Sequence, residues 1–191
     1  MSKILAKDVT VKNAWKPFSV SNKPDRLRSI NTIEGVIDRL RLVSFAEIQA
    51  REAFLWAAKT FFETPTEWRE QWKKIAADEN RHSQLLMDRL FELGGKIEDR
   101  LVSTFIYTQC IKAMDPILFT FIISSSEERG MENGLLMSTQ MAQVDQKSAE
   151  IFALIAEEEK THIQISNAIL AEYNPMHLRE RAQVLQQSWN A

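Results

Sequence analysis

The chain has 191 residues, with 24 basic against 26 acidic side chains, a formal net charge of −2 and 45% hydrophobic residues. This is the balance of one globular domain with no broad nucleic-acid patch. A single cysteine excludes a disulfide scaffold and any CxxC-based zinc or iron–sulfur site within one chain, while five glycines and five prolines disfavour turn-rich β architectures.

Residues 1–27 show little periodicity and contain Pro17 and Pro24, which predicts an extended N-terminal arm. From about Arg28 to Phe62 apolar side chains recur at three- and four-residue steps (Leu40, Val43, Ala50, Phe54, Ala57, Phe61), the pattern of an amphipathic helix. Thr64-Pro65-Thr66 stops it and opens a second helix, expected to end at Gly94-Gly95 near Leu93. Residues 96–114 are ambiguous and include the β-branched and aromatic stretch Val102–Tyr107; they form a long crossover. A third helix is expected from Asp115-Pro116 to about Met141, and a fourth from about Asp145 to Tyr173, closed by Asn174-Pro175. Residues 28–175 thus read as an all-α, antiparallel four-helix domain, and the tail 176–191 as helical again. The most apolar run, Ile117–Ile123, is far short of the roughly 20 residues that span a bilayer. Charges at Lys3, Lys7 and Asp8 interrupt any signal-peptide core. A cytoplasmic protein without a membrane segment is the expectation.

A shift of 80 residues superimposes the two halves. Ser44, Glu47, Glu52 and Leu55 fall on Ser124, Glu127, Glu132 and Leu135, and the stretch from Ile75 to His82 falls on that from Ile155 to His162. Two copies do not make a solenoid; they read as two helical hairpins packed face to face. Each copy supplies one lone glutamate on its first helix and a Glu-x-x-His on its second. Residues three apart share a helix face, so Glu79 with His82, and Glu159 with His162, each aim at one point. Glu47 lies 18 residues before Pro65 and Glu79 lies 14 after it, so at 1.5 Å per residue an antiparallel hairpin brings them to one height. Glu127 and Glu159 are related in the same way about residue 143. Four carboxylates and two imidazoles at one level make the ligand set of a two-metal carboxylate site, and their oxygen and nitrogen donors suit iron or manganese. Burying four acids without a cation would be costly.

Other residues are weaker candidates. Asp78 and Glu158, each preceding a ligand glutamate, are positioned to accept the second N–H of a ligating histidine, or are ordinary solvated acids. Glu52 and Glu132 lie too far round for the same face. Glu128 and Glu157 are rivals should a helix register shift. His177 has no paired glutamate and is expected at the surface, and Tyr107 is a candidate neighbour of the site through the crossover. Trp68, Trp72, Phe152 and Ile155 read as core, or as apolar walls of a substrate cavity.

Asp78-Glu79-Asn80-Arg81-His82 resembles the D-E-x-R-H motif of ferritin-like di-iron carboxylate proteins. The segments Glu47-Ile48-Gln49-Ala50-Arg51-Glu52 and Glu127-Glu128-Arg129-Gly130-Met131 resemble the E-L-Q-A-x-E and E-A-R-G-L segments of an uncharacterised ferritin-like domain family. The likeness covers about residues 25–172, and Arg51 and Met131 depart from the apolar residues expected there. It implies a ferritin-like four-helix bundle with a left-handed crossover, and metal ligands at Glu47, Glu79, His82, Glu127, Glu159 and His162. It also implies two iron ions (alternatively a manganese/iron pair) and an O2-activating oxidoreductase of hydroxylase or monooxygenase type. Partners would then be O2, a substrate that is small or RNA-borne, and an external electron donor, because no rubredoxin-like CxxC pair is present. A homodimer is compatible with this reading. Two alternatives stand beside it: an iron-handling ferroxidase or storage protein, and a metal-stabilised helical interaction module.

Overall fold

The computed structural model describes residues 14–172. His177, the Asn174-Pro175 stop, the start of the arm and the tail expected to be helical at 176–191 lie outside them. The described chain is all-α in class. Four long helices dominate: α1 (Ile33–Thr60), α2 (Thr66–Glu92), α4 (Pro116–Met141) and α5 (Gln146–Ala171). Between α2 and α4 run a 3-10 turn (Ile97–Asp99), the two-residue strand β2 (Leu101–Val102) and the short helix α3 (Phe105–Cys110). Helices α1 and α2 pack along their lengths, as do α4 and α5, and each pair is closed by a short loop.

Local chemistry sets these boundaries. Thr32 caps α1, its hydroxyl accepting from the Gly35 N–H at 3.1 Å. The helix therefore begins at Ile33 and not near Arg28, because Ser29–Thr32 folds back as a capping loop. That loop requires glycine at 35, where a Cβ would stand 1.7 Å from the Ser29 carbonyl oxygen. Gly94, at φ 77°, ends α2 in the left-handed conformation, and the Gly95 N–H reaches the Leu90 carbonyl. Asp115 and Asp145 cap α4 and α5 by accepting from Leu118 and Ser148, and Pro116 occupies the first turn of α4.

The arm is tied down by contacts the sequence does not announce. Strand β1 (Ser19–Val20) pairs in parallel with β2, Ser19 opposite Leu101 and Val20 opposite Val102. Trp15 meets Phe45 and Tyr107 edge-on, at centroid distances of 5.5 and 5.2 Å. Buried Asp38 joins Arg28, Arg41 and Arg100. Burial would raise its pKa, but the hydrogen bonds from Arg28 hold the carboxyl below its usual range.

The apolar interior falls into two clusters. One holds Phe54, Trp72, Ile75 and Phe119, and the other Leu40, Phe45, Leu86, Leu90 and Phe152. On every long helix the polar candidates sit where one cluster gives way to the other: Glu47 on α1, Glu79 and His82 on α2, Glu127 on α4, Glu159 and His162 on α5. A polar layer thus lies between two hydrophobic ones.

Candidate metal centre

All six of these side chains are buried; His82 and Glu79 have no exposure, and Glu47, the most open, has 9%. They resolve into two sets. In the first, ligand atoms of Glu47, Glu79, His82 and Glu159 lie within 4.8 Å of one another; in the second, so do those of Glu79, Glu127, Glu159 and His162. Glu79 and Glu159 belong to both. The lone glutamates of α1 and α4 take opposite ends, each with one histidine.

Both imidazoles turn Nδ1 inward. His82 Nδ1 stands 3.2 Å from Glu159 and 3.6 Å from Glu79, and His162 Nδ1 stands 2.9 Å from Glu79, 3.1 Å from Glu159 and 3.8 Å from Glu127. Their outer nitrogens meet acids of the opposite hairpin. His82 Nε2 donates to Glu158 at 2.7 Å, and His162 Nε2 lies 3.5 Å from Asp78. Arg81 also donates to Glu158, at 2.6 Å, and holds it in place. Each acid that precedes one glutamate of the layer therefore supports the histidine of the other repeat.

Electrostatics divide the carboxylates. Burial raises the pKa of all four. For Glu47 and Glu127 the neighbouring carboxylates add to it, so both sit well above the ordinary carboxyl value. For Glu159 and Glu79 close polar contacts with neighbouring groups, the imidazoles among them, outweigh burial and hold the carboxyls below it. Burial opposes the charge on the histidines, yet the surrounding carboxylates prevail and push His82 up to about 10 and His162 higher still. Even so, both oxygens of Glu79 and Nδ1 of His82 are buried with no hydrogen bond of good geometry. Buried groups of this kind ordinarily find partners. Three such atoms converging with oxygen and nitrogen donors from four helices fit a cation, and the absence of thiolate fits a hard or borderline one. Cys110 does not compete: burial first, then the charge of Glu127, pushes its thiol up to about 12.

A family model described as a protein of unknown function (DUF455) matches residues 7–187. The chain belongs to that family. No curated protein and no solved structure matches this DUF455 chain.

The remaining candidates separate cleanly in the DUF455 chain. Glu128, Glu132 and Glu157 are exposed, and Glu52 is half-buried with its carboxylate 2.8 Å from Arg51, which also donates to Asn80. Tyr107 packs on Trp15, and its N–H is held by Gln49. Trp68 and Trp72 are core, whereas Phe152 and Ile155 serve both as core and as walls of a cavity of about 470 Å³ that reaches Glu47, Glu127 and Glu159. Of the four residues read from the sequence as core or cavity walls, Phe152 and Ile155 line this cavity and Trp68 and Trp72 do not; the remaining walls have no sequence signal but one. That signal is Gly130, a mid-helix glycine whose Cβ would meet nothing within 4 Å.

Proposed function

We propose that this chain is a ferritin-like four-helix bundle whose buried layer holds two metal ions, iron or a manganese/iron pair, and that it is an O2-activating oxidoreductase. The observation that carries the reading is the division of six buried side chains into two four-member sets sharing Glu79 and Glu159, with orphaned atoms on Glu79 and His82. The motif resemblance of Asp78–His82 supports it, as does the 80-residue repeat.

Glu47 and His82 would hold one ion, Glu127 and His162 the other, and Glu79 with Glu159 would be shared. A pair of redox-active metals supplies two electrons to O2 together. The chain's own contribution is positional. Glu158 and Asp78 fix the imidazoles with Nδ1 inward, which also raises their basicity. The apolar clusters flank the layer on either side, so charges within it interact more strongly than in solvent. The cavity approaches the centre from the side of Glu47, Glu127 and Glu159.

Metal analysis of protein from iron-replete cells, paired with O2 uptake by the reduced form, tests the proposal. Wild type should carry about two ions per chain, the stoichiometry of a two-metal site. His82→Ala and His162→Ala should each lower metal content and abolish O2 consumption, while Glu128→Gln, on the exposed face of α4, should change neither. Wild-type protein without iron or manganese and without O2 uptake would contradict it.

A further inference from the structure

The cavity beside the polar layer has a defined chemistry. Its walls are Leu42 and Val43 of α1, Ile106 of α3, Met137 of α4, and Phe152 and Ile155 of α5. Its volume of about 470 Å³ falls within the range of small-molecule sites. One end meets Glu47, Glu127 and Glu159; Arg129 and Asn133, both exposed and four residues apart on one face of α4, line it as well. The lining therefore combines apolar walls with both acidic and basic groups.

Two glycines of α4 line this cavity for different reasons. Gly134 is closely packed, since a Cβ there would stand 3.2 Å from that of Ala156 on α5. Gly130 meets nothing, so no neighbour excludes a side chain there. A glycine inside a helix is destabilising relative to alanine. Its effect here is to leave the cavity open where Gly130 lines it. Gln49 holds the opposite wall: its amide donates to the Ser103 carbonyl at 3.0 Å and accepts from the Tyr107 N–H at 3.2 Å, which fixes α3 and with it Ile106.

We infer that this cavity is the substrate chamber of the proposed centre and that it takes an amphipathic organic anion. The apolar body lies against Val43, Ile106 and Phe152, and the anionic head lies at Arg129 and Asn133. The charge of Arg129 complements such a head, and the apolar walls would disfavour a hydrated inorganic ion. The inference rests on the two-metal reading for its chemistry, but the binding it describes is measured separately.

Calorimetric titration of the full, manganese-loaded chain with decanoate, and with decanol as a neutral counterpart, tests it. Decanoate should bind saturably, one per chain, and more tightly than decanol. Gly130→Leu should weaken decanoate by roughly tenfold or more by filling the chamber, with manganese content unchanged. Val43→Phe, which fills it from the other wall, should do the same, so the test does not depend on one variant folding. Arg129→Gln should remove the preference for decanoate over decanol. Failure of wild type to bind decanoate, or binding by both filled variants as tight as that of wild type, overturns the inference. If that failure comes with two bound manganese ions, the two-metal proposal stands without it. If no manganese binds, both fall.

Discussion

His82 and His162 occupy equivalent positions of the repeat but are not equivalently supported. Glu158 reaches His82 at 2.7 Å with Arg81 behind it, whereas the shorter Asp78 stands 3.5 Å from His162. Glu158→Gln should therefore weaken metal binding more than Asp78→Asn, with a loss of about 10- to 100-fold for one of the two ions, as removal of such outer partners commonly produces. Competition against a metallochromic chelator measures it, and equal effects would contradict the asymmetry. Protons supply a second check. In the metal-free chain the His82 ring titrates at about 10 against an ordinary 6.5, so it is charged at neutral pH. A metal needs the neutral ring, so loading at pH 7 should release protons and apparent affinity should rise with pH towards 10. The sign for stability is opposite: the charged ring stabilises the metal-free fold fully below pH 6.5, and that contribution is lost as pH rises through about 10. A pH-stat trace on manganese addition decides it; no proton release would mean that the ring is already neutral. At this scale Glu79, His82, Glu159 and His162 were legible from a three-residue step, which puts two groups on one face whatever surrounds the helix, and Glu47 and Glu127 from their equal height across the hairpin turns. Their division into two sets was not, because it depends on how the hairpins rotate against each other. The crossed supports were half legible: Asp78 and Glu158 stood out as candidates, but their partners lie on the opposite hairpin.

The long helices were legible because each carries its own punctuation: Pro65 before α2, Gly94 after it, Asp115-Pro116 before α4 and Asp145 before α5. Asp145 also joins the two hairpins, accepting from the Ser148 N–H and from Arg89 Nε of α2, each at 3.1 Å. Asp145→Ala should then lower Tm by about 2–8 °C, the equivalent of losing a cap of about 1–2 kcal/mol. Asp145→Asn keeps the cap but weakens the Arg89 contact and should lose less. Thermal melts followed by circular dichroism would show it, and identical melting of Asp145→Ala and wild type would contradict it. The segment from 96 to 114 was not legible. Its structure comes from partners far away in sequence, namely Ser19–Val20 for β2, Gln49 for α3, and Asp38 for Arg100. The start of α1 was misread by some five residues for a related reason: the loop at Ser29–Thr32 is set by a close approach to Gly35 that periodicity does not encode.

Among the described residues, two apolar clusters enclose a layer with four carboxylates and two imidazoles. An ordinary core has no use for such a layer, since like charges out of water oppose folding unless a counter-charge sits among them. Protonated histidines serve in part, yet Glu79 keeps two oxygens without hydrogen bonds. On the proposed reading these six side chains would hold two ions in one centre, with Glu79 and Glu159 common to both ligand sets. Titration with manganese(II), read by electron paramagnetic resonance, tests it most directly. Two ions per chain are expected, with the second converting the six-line signal of an isolated ion into the broad spectrum of an exchange-coupled pair. A single bound ion, or two whose six-line signals simply add, would contradict it.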